Sequence, residues 1–339
     1  MIAFTQKNTA MAVFMMLSIL FSCTDGRTID EPGNLVPKTV DQDSSIPSIS
    51  INGAQLHAEA FGPENGTIII ALHGGPGGDY RYLLNCKNLA DLGFRVVFYD
   101  QRGSGLSQRF SGQSYLSLGA GVTDLMYDEL HTIIAHYRKN PEQKVVLLGH
   151  SWGGMLASGY AGKYPNDIKG LIVCEPGGLV WDDVKDYVKK SRSFKLWSEI
   201  LNDVTYLDQF ISGKEDQHEI LDYKMTMLAS KNSITGEGDF DPGISWRSGA
   251  VIMDALFDSG DRYQLDFSKG LQYFHAPVLF LYSERNKAYP DSWAQKISSK
   301  YKDVTKVKVS GVGHDGIITN TNVWNSQTKP EIITFINGL

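Results

Sequence analysis

Short apolar runs alternate with amphipathic stretches along most of the chain. Five runs are almost continuously hydrophobic, as in strands that are buried on both faces of a sheet. They are TIIIAL (67–72), RVVFYD (95–100), KVVLLG (144–149), KGLIVC (169–174) and APVLFLY (276–282). Helical stretches lie between them, such as 121–139, whose apolar residues recur at helical spacing. This alternation predicts an α/β fold with a mainly parallel central sheet.

Two segments depart from the alternation. SISINGAQLHAEAF (48–61) alternates apolar and polar residues around an Asn-Gly pair, which predicts a β-hairpin. Residues 178–273 are rich in aromatic and charged side chains and have a mostly helical pattern. We expect this stretch to be a helical cap inserted between two core strands. The core is then predicted over 48–177 and 274–339 as one domain.

The first residues are typical of a targeting segment. Lys7 is the only charged residue before residue 25, and 9–21 is apolar but short for a membrane span. The following LFSC motif resembles a bacterial lipoprotein signal, which implies a signal peptide over 1–22 and lipidation of Cys23. A flexible tether over 23–47 and a lipid-anchored, extracytoplasmic place in a bacterial cell envelope follow from this prediction. A non-lipidated signal peptide and an uncleaved anchor are the alternatives.

Composition narrows the class of protein further. The 339 residues carry a net charge of -6 and are 42% hydrophobic, as is usual for a folded domain. This excludes a disordered or collagen-like chain, and the mild acidity gives no reason to expect a nucleic-acid partner. Cys86 and Cys174 are the two cysteines outside the targeting segment, and the sequence leaves their pairing open. Cys174 lies in an apolar run and is expected to be a buried thiol.

The clearest chemical motif is a G-x-S-x-G sequence centred on Ser151. It follows an apolar run and precedes a helical stretch, which is the context of a nucleophile elbow. A second glycine-rich block, HGGPGG (73–78), follows another apolar run. Backbone N–H groups of Gly75 and Trp152 are the expected oxyanion hole.

A third block, YDQRGSGLS (99–107), completes a resemblance to a known family. HGGPGG, DQRGxGxS and GxSWGG in this order resemble the prolyl aminopeptidase (proline iminopeptidase) family of α/β hydrolases, over roughly 48–335. The resemblance implies an α/β-hydrolase fold and an enzyme that cleaves short peptides without a cofactor or metal. We interpret Asp100 and Arg102 as structural supports of the loop that carries the oxyanion hole.

The general base is predicted to be His314. It lies in a glycine-flanked loop after the KVKV run, where the fold places its histidine. The acid is less clear, because Asn286 occupies the position at which the family carries an Asp. An amide cannot supply the charge that stabilises an imidazolium ion.

Two glutamates are candidates for the acid. Glu175 directly follows the run KGLIVC, and its position resembles that of the catalytic Glu in haloalkane dehalogenases. A charged residue directly after a buried strand needs a partner, and His314 is the partner we expect for Glu175. Glu284, after APVLFLY, is the alternative acid. A site without an acid at either position also stays open.

These residues predict a serine hydrolase that works through an acyl-enzyme. The family resemblance favours an aminopeptidase of prolyl aminopeptidase type, whereas the displaced acid keeps a carboxylesterase or lactonase on small apolar esters as the alternative. A non-catalytic surface lipoprotein that binds a ligand is a third possibility. No H-E-x-x-H motif or Cys/His cluster indicates a metal. Four aromatic residues of the predicted cap are candidates for a pocket lining or for the core beneath it: Trp181, Trp197, Trp246 and Phe257.

Overall fold

The computed structural model of the protein describes residues 35–193, 217–231 and 245–339. The chain divides into two units, Met1–Leu35 and Val36–Leu339. The predicted signal peptide and Cys23 belong to the first unit and lie outside the described residues.

A single sheet of eight strands forms the centre of the second unit, in the order β1-β2-β4-β3-β5-β6-β7-β8. β1 and β2 form the predicted hairpin, β2 is antiparallel to β4, and all other neighbours are parallel. The five apolar runs become β3 to β7, which confirms the predicted α/β sheet. The strands are β1 Ser48–Ile51, β2 Ala54–Phe61, β3 Ile68–Leu72, β4 Arg95–Tyr99, β5 Val145–His150, β6 Gly170–Cys174, β7 Val278–Ser283 and β8 Val304–Val309.

Helices cover the sheet. The α-helices are α1 Gly112–Leu116, α2 Val122–Tyr137, α3 Trp152–Lys163, α4 Trp181–Ser193, α5 Gln217–Lys231, α6 Ala250–Tyr263, α7 Asp291–Ser298, α8 Gly316–Thr319, α9 Thr321–Val323 and α10 Lys329–Asn337. Shorter-pitch 3-10 helices span Tyr80–Leu92, Gly119–Gly121 and Leu271–Tyr273, and a π-helix spans Trp324–Thr328. Across the described ranges, no helix combines the length and apolarity needed to cross a membrane.

The hydrophobic core lies on both faces of the sheet. Ile68, Ile70 and Leu72 of β3 belong to one buried cluster, and the intervening Ile69 and Ala71 belong to another. Because successive strand residues point to opposite faces, each cluster fills one side of the sheet. A strand buried in this way reads as an unbroken apolar run, which is why β3 to β7 were visible in the sequence.

The register of the parallel strands brings three strand ends together. The N–H of Ser151, after β5, donates to the carbonyl of Cys174 at the end of β6 (2.8 Å). The N–H of Glu175, after β6, donates in the same way to Leu281 in β7 (3.0 Å). The residues that follow β5, β6 and β7 therefore meet at one edge of the sheet, where ligands of open α/β sheets bind.

The segment expected to be a cap contributes α4, α5 and α6 between β6 and β7. Its two ends pair with each other at the base: Val180 forms a β-bridge with Asp266, and the N–H of Phe267 donates to Leu179 (2.7 Å). Residues 236–243 of this segment, which are rich in Gly, Asp and Pro, lie outside the described residues, as does Trp197.

The N-terminal end of the second unit corrects one sequence expectation. Val36, Thr39 and Val40 are buried, and the N–H of Val40 donates to the carbonyl of Leu106 (2.8 Å). The predicted tether, 23–47, is therefore packed onto the body from Val36 onward. Three buried residues in so short a segment are too few to define a pattern that the sequence could reveal.

Candidate active site

Ser151 stands on a sharp turn between β5 and α3. Its backbone has φ 55° and ψ -120°, outside the conformations of ordinary strands and helices. A Cβ atom on Gly153 would lie 2.1 Å from the carbonyl oxygen of Leu72 at the end of β3. Only glycine therefore allows the first turn of α3 to approach the sheet this closely. The elbow predicted from G-x-S-x-G has the expected strand–turn–helix context.

The predicted oxyanion-hole residues flank Ser151. Trp152 is the first residue of α3, and the first N–H groups of a helix have no acceptor within it. Gly75 lies in the glycine-rich loop after β3. Both residues line one cavity together with Ser151 and His314. The structure thus brings four of the predicted site residues together.

Gln101, which the sequence analysis did not single out, connects the two loops. Its side-chain amide donates to the carbonyl of His73 (2.9 Å), and its N–H donates to Nε2 of His73 (3.0 Å). The indole N–H of Trp152 donates to the side-chain oxygen of Gln101 (3.0 Å). The DQRG motif thereby braces the glycine-rich loop against the elbow.

The two residues predicted to support that loop differ in their contacts. Asp100 is fully buried and accepts the N–H of Tyr80, just beyond the glycine block (3.0 Å). Arg102 instead pairs with Glu129 in α2 (2.9 Å) and donates to the carbonyl of Asn52 in the hairpin turn (2.9 Å). The prediction for Arg102 was therefore wrong: its long side chain reaches away from the loop and joins α2 to the hairpin.

Glu175 and His314 are in direct contact. Oε2 of Glu175 lies 2.7 Å from Nδ1 of His314, and both side chains are buried. The other carboxylate oxygen accepts the N–H (2.6 Å) and the hydroxyl (2.5 Å) of Ser283 at the end of β7. The side-chain amide of Asn286 donates to Oε2 (2.7 Å). Four donors therefore converge on one carboxylate.

These donors keep Glu175 ionised. Burial by itself raises the pKa of a carboxyl group, since the charged form loses its hydration. Here the hydrogen bonds from His314 and Ser283 outweigh burial, and the pKa of Glu175 lies below its ordinary value. The site therefore holds a negative charge beside the imidazole, as a general base of this kind requires.

Asn286 explains how the family's acid position is used here. Its side-chain oxygen accepts the N–H of Ala288 (3.1 Å), which leaves the amide nitrogen pointing at Glu175. The amide donates a hydrogen bond where an aspartate would bring a second negative charge. The alternative acid, Glu284, is exposed, and its carboxylate accepts the N–H of Gly311 (2.8 Å).

The cavity beside Ser151 is mainly apolar. Cap residues Trp181, Val184 and Phe257 line it together with Trp152 and Met155 of α3. Among the lining residues that the structure describes, none carries a carboxylate. The cavity therefore fits an uncharged, hydrophobic group next to the nucleophile.

Among the cap aromatics considered in the sequence, Trp181 and Phe257 belong to this lining. Trp246 lies instead against His57 and Tyr80, with ring centroids 5.5 and 5.0 Å away.

One group of side chains has the composition of a metal site. His150, His314 and Asp315 place ligand atoms within 4.8 Å of one another. Both ring nitrogens of His150 are within hydrogen-bond distance of other groups, the hydroxyl of Tyr82 (2.9 Å) and the carbonyl of His314 (3.0 Å). Nδ1 of His314 faces Glu175. Most of the ligand atoms are thus already engaged, and we assign no metal to this group.

Comparison with known proteins places the chain among hydrolases. The sequence model of the family described as serine aminopeptidase, S33, matches residues 63–317. A proline iminopeptidase from Saccharolobus solfataricus is 41% identical over 105 residues, 31% of this chain and 32% of that relative. The proline iminopeptidase PfmaB from Pestalotiopsis fici is 26% identical over 283 residues, 78% of this chain and 92% of that relative. The chain thus spans about a third of the first relative and nearly all of the second.

Solved structures share the architecture. A proline iminopeptidase from Mycobacterium smegmatis superposes with a TM-score of 0.57 at 16% identity, over 85% of this chain and 98% of that one. An esterase from Thermogutta terrifontis reaches a TM-score of 0.58 at 20% identity, over 85% and 99%. These likenesses confirm the expected α/β-hydrolase fold. The family match identifies a hydrolytic enzyme, which argues against the non-catalytic alternative.

Proposed function

We propose that this chain, which belongs to the serine aminopeptidase S33 family, is a serine hydrolase that forms an acyl-enzyme on Ser151. The observation that carries the proposal is the buried contact between Glu175 and His314 (2.7 Å), in a cavity shared by His314 and Ser151. A charged acid, an imidazole and a half-buried serine hydroxyl in this order are the arrangement of a catalytic triad.

The proposed reaction begins with a proton transfer. Nδ1–H of His314 donates to Glu175, so Nε2 is free of a proton and takes the one on Ser151. The serine oxygen attacks the substrate carbonyl, and the carbonyl electrons move to the oxygen, where Gly75 and Trp152 N–H groups receive the charge. Protonation by His314 releases the amine or alcohol. Water, deprotonated by His314, then cleaves the acyl-enzyme into acid and free Ser151.

For the substrate we propose short peptides with an apolar N-terminal residue, as in a prolyl aminopeptidase. The names of the aligned relatives support this choice. The apolar cavity suits the hydrocarbon ring of a proline residue next to the scissile carbonyl. A small apolar ester or lactone is the second candidate, because the described lining offers no carboxylate to bind a free ammonium group.

Two chromogenic substrates separate these candidates. We expect purified protein to release the arylamine from a prolyl-arylamide with a kcat/KM at least about tenfold above that for a p-nitrophenyl ester of a small apolar acid. The reverse order would favour the esterase candidate. Ser151→Ala should abolish both reactions and labelling by a fluorophosphonate. Retained turnover in Ser151→Ala would refute the acyl-enzyme.

We further propose that Cys23 carries the lipid anchor predicted from the LFSC motif. In a bacterial host that lipidates such signals, the wild-type protein should sediment with membranes. Cys23→Ser should appear in the soluble fraction, whereas unchanged membrane retention would refute lipidation at Cys23. Cys174→Ser serves as a control, since this buried thiol lies in β6, far along the chain from the anchor.

A further inference from the structure

A chain of hydrogen bonds joins the glycine-rich loop to the loop of the general base. The N–H of Gly74 donates to the hydroxyl of Tyr82 (2.7 Å). That hydroxyl lies 2.9 Å from Nδ1 of His150, and Nε2 of His150 lies 3.0 Å from the carbonyl oxygen of His314. The rings also contact each other along this path: Tyr82 meets His150 edge to face with centroids 5.4 Å apart, and the two histidine rings are tilted with centroids 4.5 Å apart.

The chemistry of the groups fixes the direction of every bond. A carbonyl oxygen only accepts, so Nε2 of His150 must carry the hydrogen that it shares with His314. In a neutral imidazole Nδ1 is then a bare acceptor, and the Tyr82 hydroxyl must donate to it. The lone pairs of that hydroxyl accept the N–H of Gly74. One proton arrangement satisfies all the groups of the chain.

The imidazole of His150 stays in that single state. It is buried, and burial, with the neighbouring His314, lowers its pKa to about 3. A second proton would meet the hydroxyl of Tyr82 at Nδ1, and it would place a cation beside His314, which itself becomes cationic in the proposed reaction. The hydrogen-bond chain therefore keeps its form over the whole pH range in which a base such as His314 works.

Tyr82 also lies close to the reacting serine. A Cβ atom on Gly74 would be 3.0 Å from both the hydroxyl of Tyr82 and the Cβ of Ser151. Gly74 is the neighbour of Gly75, whose N–H is assigned to the oxyanion hole. The hydrogen-bond chain thus spans from the oxyanion loop, past the nucleophile, to the backbone of the base.

We infer that Tyr82 and His150 are positioning residues that hold the oxyanion loop and His314 in register with each other. The inference rests on the proposed function. In the tetrahedral transition state one loop faces the new oxyanion and the other carries the imidazolium, so their relative placement matters most at that point. Binding of the apolar part of the substrate in the cavity depends on other residues, since neither Tyr82 nor His150 lines it. Loss of the hydrogen-bond chain should therefore lower kcat and leave KM nearly unchanged.

Tyr82→Phe tests this by removing one hydroxyl. We expect kcat, and the rate of labelling by a fluorophosphonate, to fall about tenfold to a hundredfold with KM within about twofold of wild type. Tyr301→Phe is the matched control, because it removes a buried tyrosine hydroxyl bonded to Ser158, about two helical turns along α3 from Ser151. It should leave kcat and labelling unchanged at a similar cost in melting temperature.

Variants of His150 break the same chain of hydrogen bonds at a second place. His150→Leu should lower kcat as far as Tyr82→Phe, and the double variant should be no worse than the more impaired single variant, since both break one unit. His150→Gln keeps an N–H donor toward the carbonyl of His314 and should recover part of the activity. If Tyr82→Phe fails to fold, the His150 variants still test whether the hydrogen-bond chain affects kcat.

The outcomes separate the inference from the proposed function. Wild-type protein that a fluorophosphonate does not label at Ser151 would overturn the proposed function and the inference with it. Labelling of wild type and Tyr82→Phe at equal rates would overturn the inference alone. Additive losses in the double variant, or kcat changes no larger than in Tyr301→Phe, would overturn it as well.

Discussion

At the scale of residues, the carboxylate of Glu175 is held by donors from three directions. Ser283 donates twice to one oxygen, and Asn286 and His314 approach the other. In a dry site an ionised carboxylate persists only when its oxygens are satisfied in this way. Asn286 therefore helps to hold the carboxylate of Glu175, the proposed acid, which follows β6 instead of β7.

Asn286→Asp should place two carboxylates side by side, where they repel each other. In this variant a carboxylate oxygen takes the place of the amide nitrogen, which lies 2.7 Å from Oε2 of Glu175. One of the two acids must therefore keep a proton at neutral pH. The folded-state pKa of the pair then lies above the unfolded value, and stability falls as pH rises. We expect the free energy of unfolding in urea to drop by about 3 kcal/mol relative to wild type at pH 8, and by less at pH 5.

Asn286→Leu is the control for that prediction. Leucine removes the donor without adding a charge, so its loss of stability should be nearly independent of pH. Unfolding curves for Asn286→Asp that stay parallel to wild type between pH 5 and 8 would contradict the account of the carboxylate site.

Some residues of this site were readable in the sequence and others were not. Glu175 was found because a charge directly after a buried strand needs a partner. Glu284 fits the same rule but points to the N–H of Gly311 at the surface. The donors Ser283 and Asn286 are more than 100 residues away from Glu175 along the chain. No local sequence pattern predicts such a contact.

At the scale of elements, the strands were predicted because their environment is simple. β3, β5 and β6 are buried on both faces along their whole length, which gives unbroken apolar runs. The hairpin was visible because Asn52 and Gly53 both take positive φ, 49° and 73°, as a tight turn demands. The 3-10 helix Tyr80–Leu92 was not predicted. Its buried residues recur every three positions, which matches neither the alternation of a strand nor the period of a regular α-helix.

Asp79 links the cap to the end of the glycine-rich loop. Its side chain caps the 3-10 helix and also accepts the N–H groups of Trp246 (2.6 Å) and Arg247 (3.0 Å), just before α6. Burial, with the nearby charge of Asp100, raises the pKa of Asp79 to about 7. In the unfolded chain an Asp has a pKa of about 3.9.

Asp79 should make the stability of the protein depend on pH. From about pH 4 to 7 the unfolded chain releases this proton first, so the free energy of unfolding falls as pH rises and levels off above about pH 7. We expect wild type to lose about 2 kcal/mol more between pH 5 and 8 in urea unfolding than Asp79→Asn does. The exposed Asp303→Asn should behave like wild type. Parallel curves for wild type and Asp79→Asn would show that Asp79 does not titrate in this range.

At the scale of the whole molecule, buried ion pairs join parts that are distant in sequence. Asp222 of α5 is fully buried and accepts from Arg109 of the core (2.9 Å) and Arg247 of the cap (2.7 Å). Arg247 also donates to the carbonyl of Pro37 in the N-terminal segment (2.9 Å). Cap, core and N-terminal segment are thereby one packed body, which explains why the predicted tether proved too long.

The alternation of apolar runs and helical stretches thus predicted the architecture, and three glycine-rich motifs indicated the family. What remained hidden were the polar contacts between distant residues: the bonds of Gln101, the pairing of Arg102 and the chain through Tyr82. Such contacts depend on how loops fold over the sheet edge, and single residue types in a loop do not encode a partner.

The proposed function depends above all on Glu175 as the acid of the triad. The most direct measurement is kcat/KM of Glu175→Gln and Glu284→Gln, side by side, on whichever chromogenic substrate the wild type cleaves best. We predict a loss of about 10³- to 10⁴-fold for Glu175→Gln, because a neutral amide no longer stabilises the imidazolium, and a change within about twofold for Glu284→Gln. Wild-type activity in Glu175→Gln with a large loss in Glu284→Gln would contradict it.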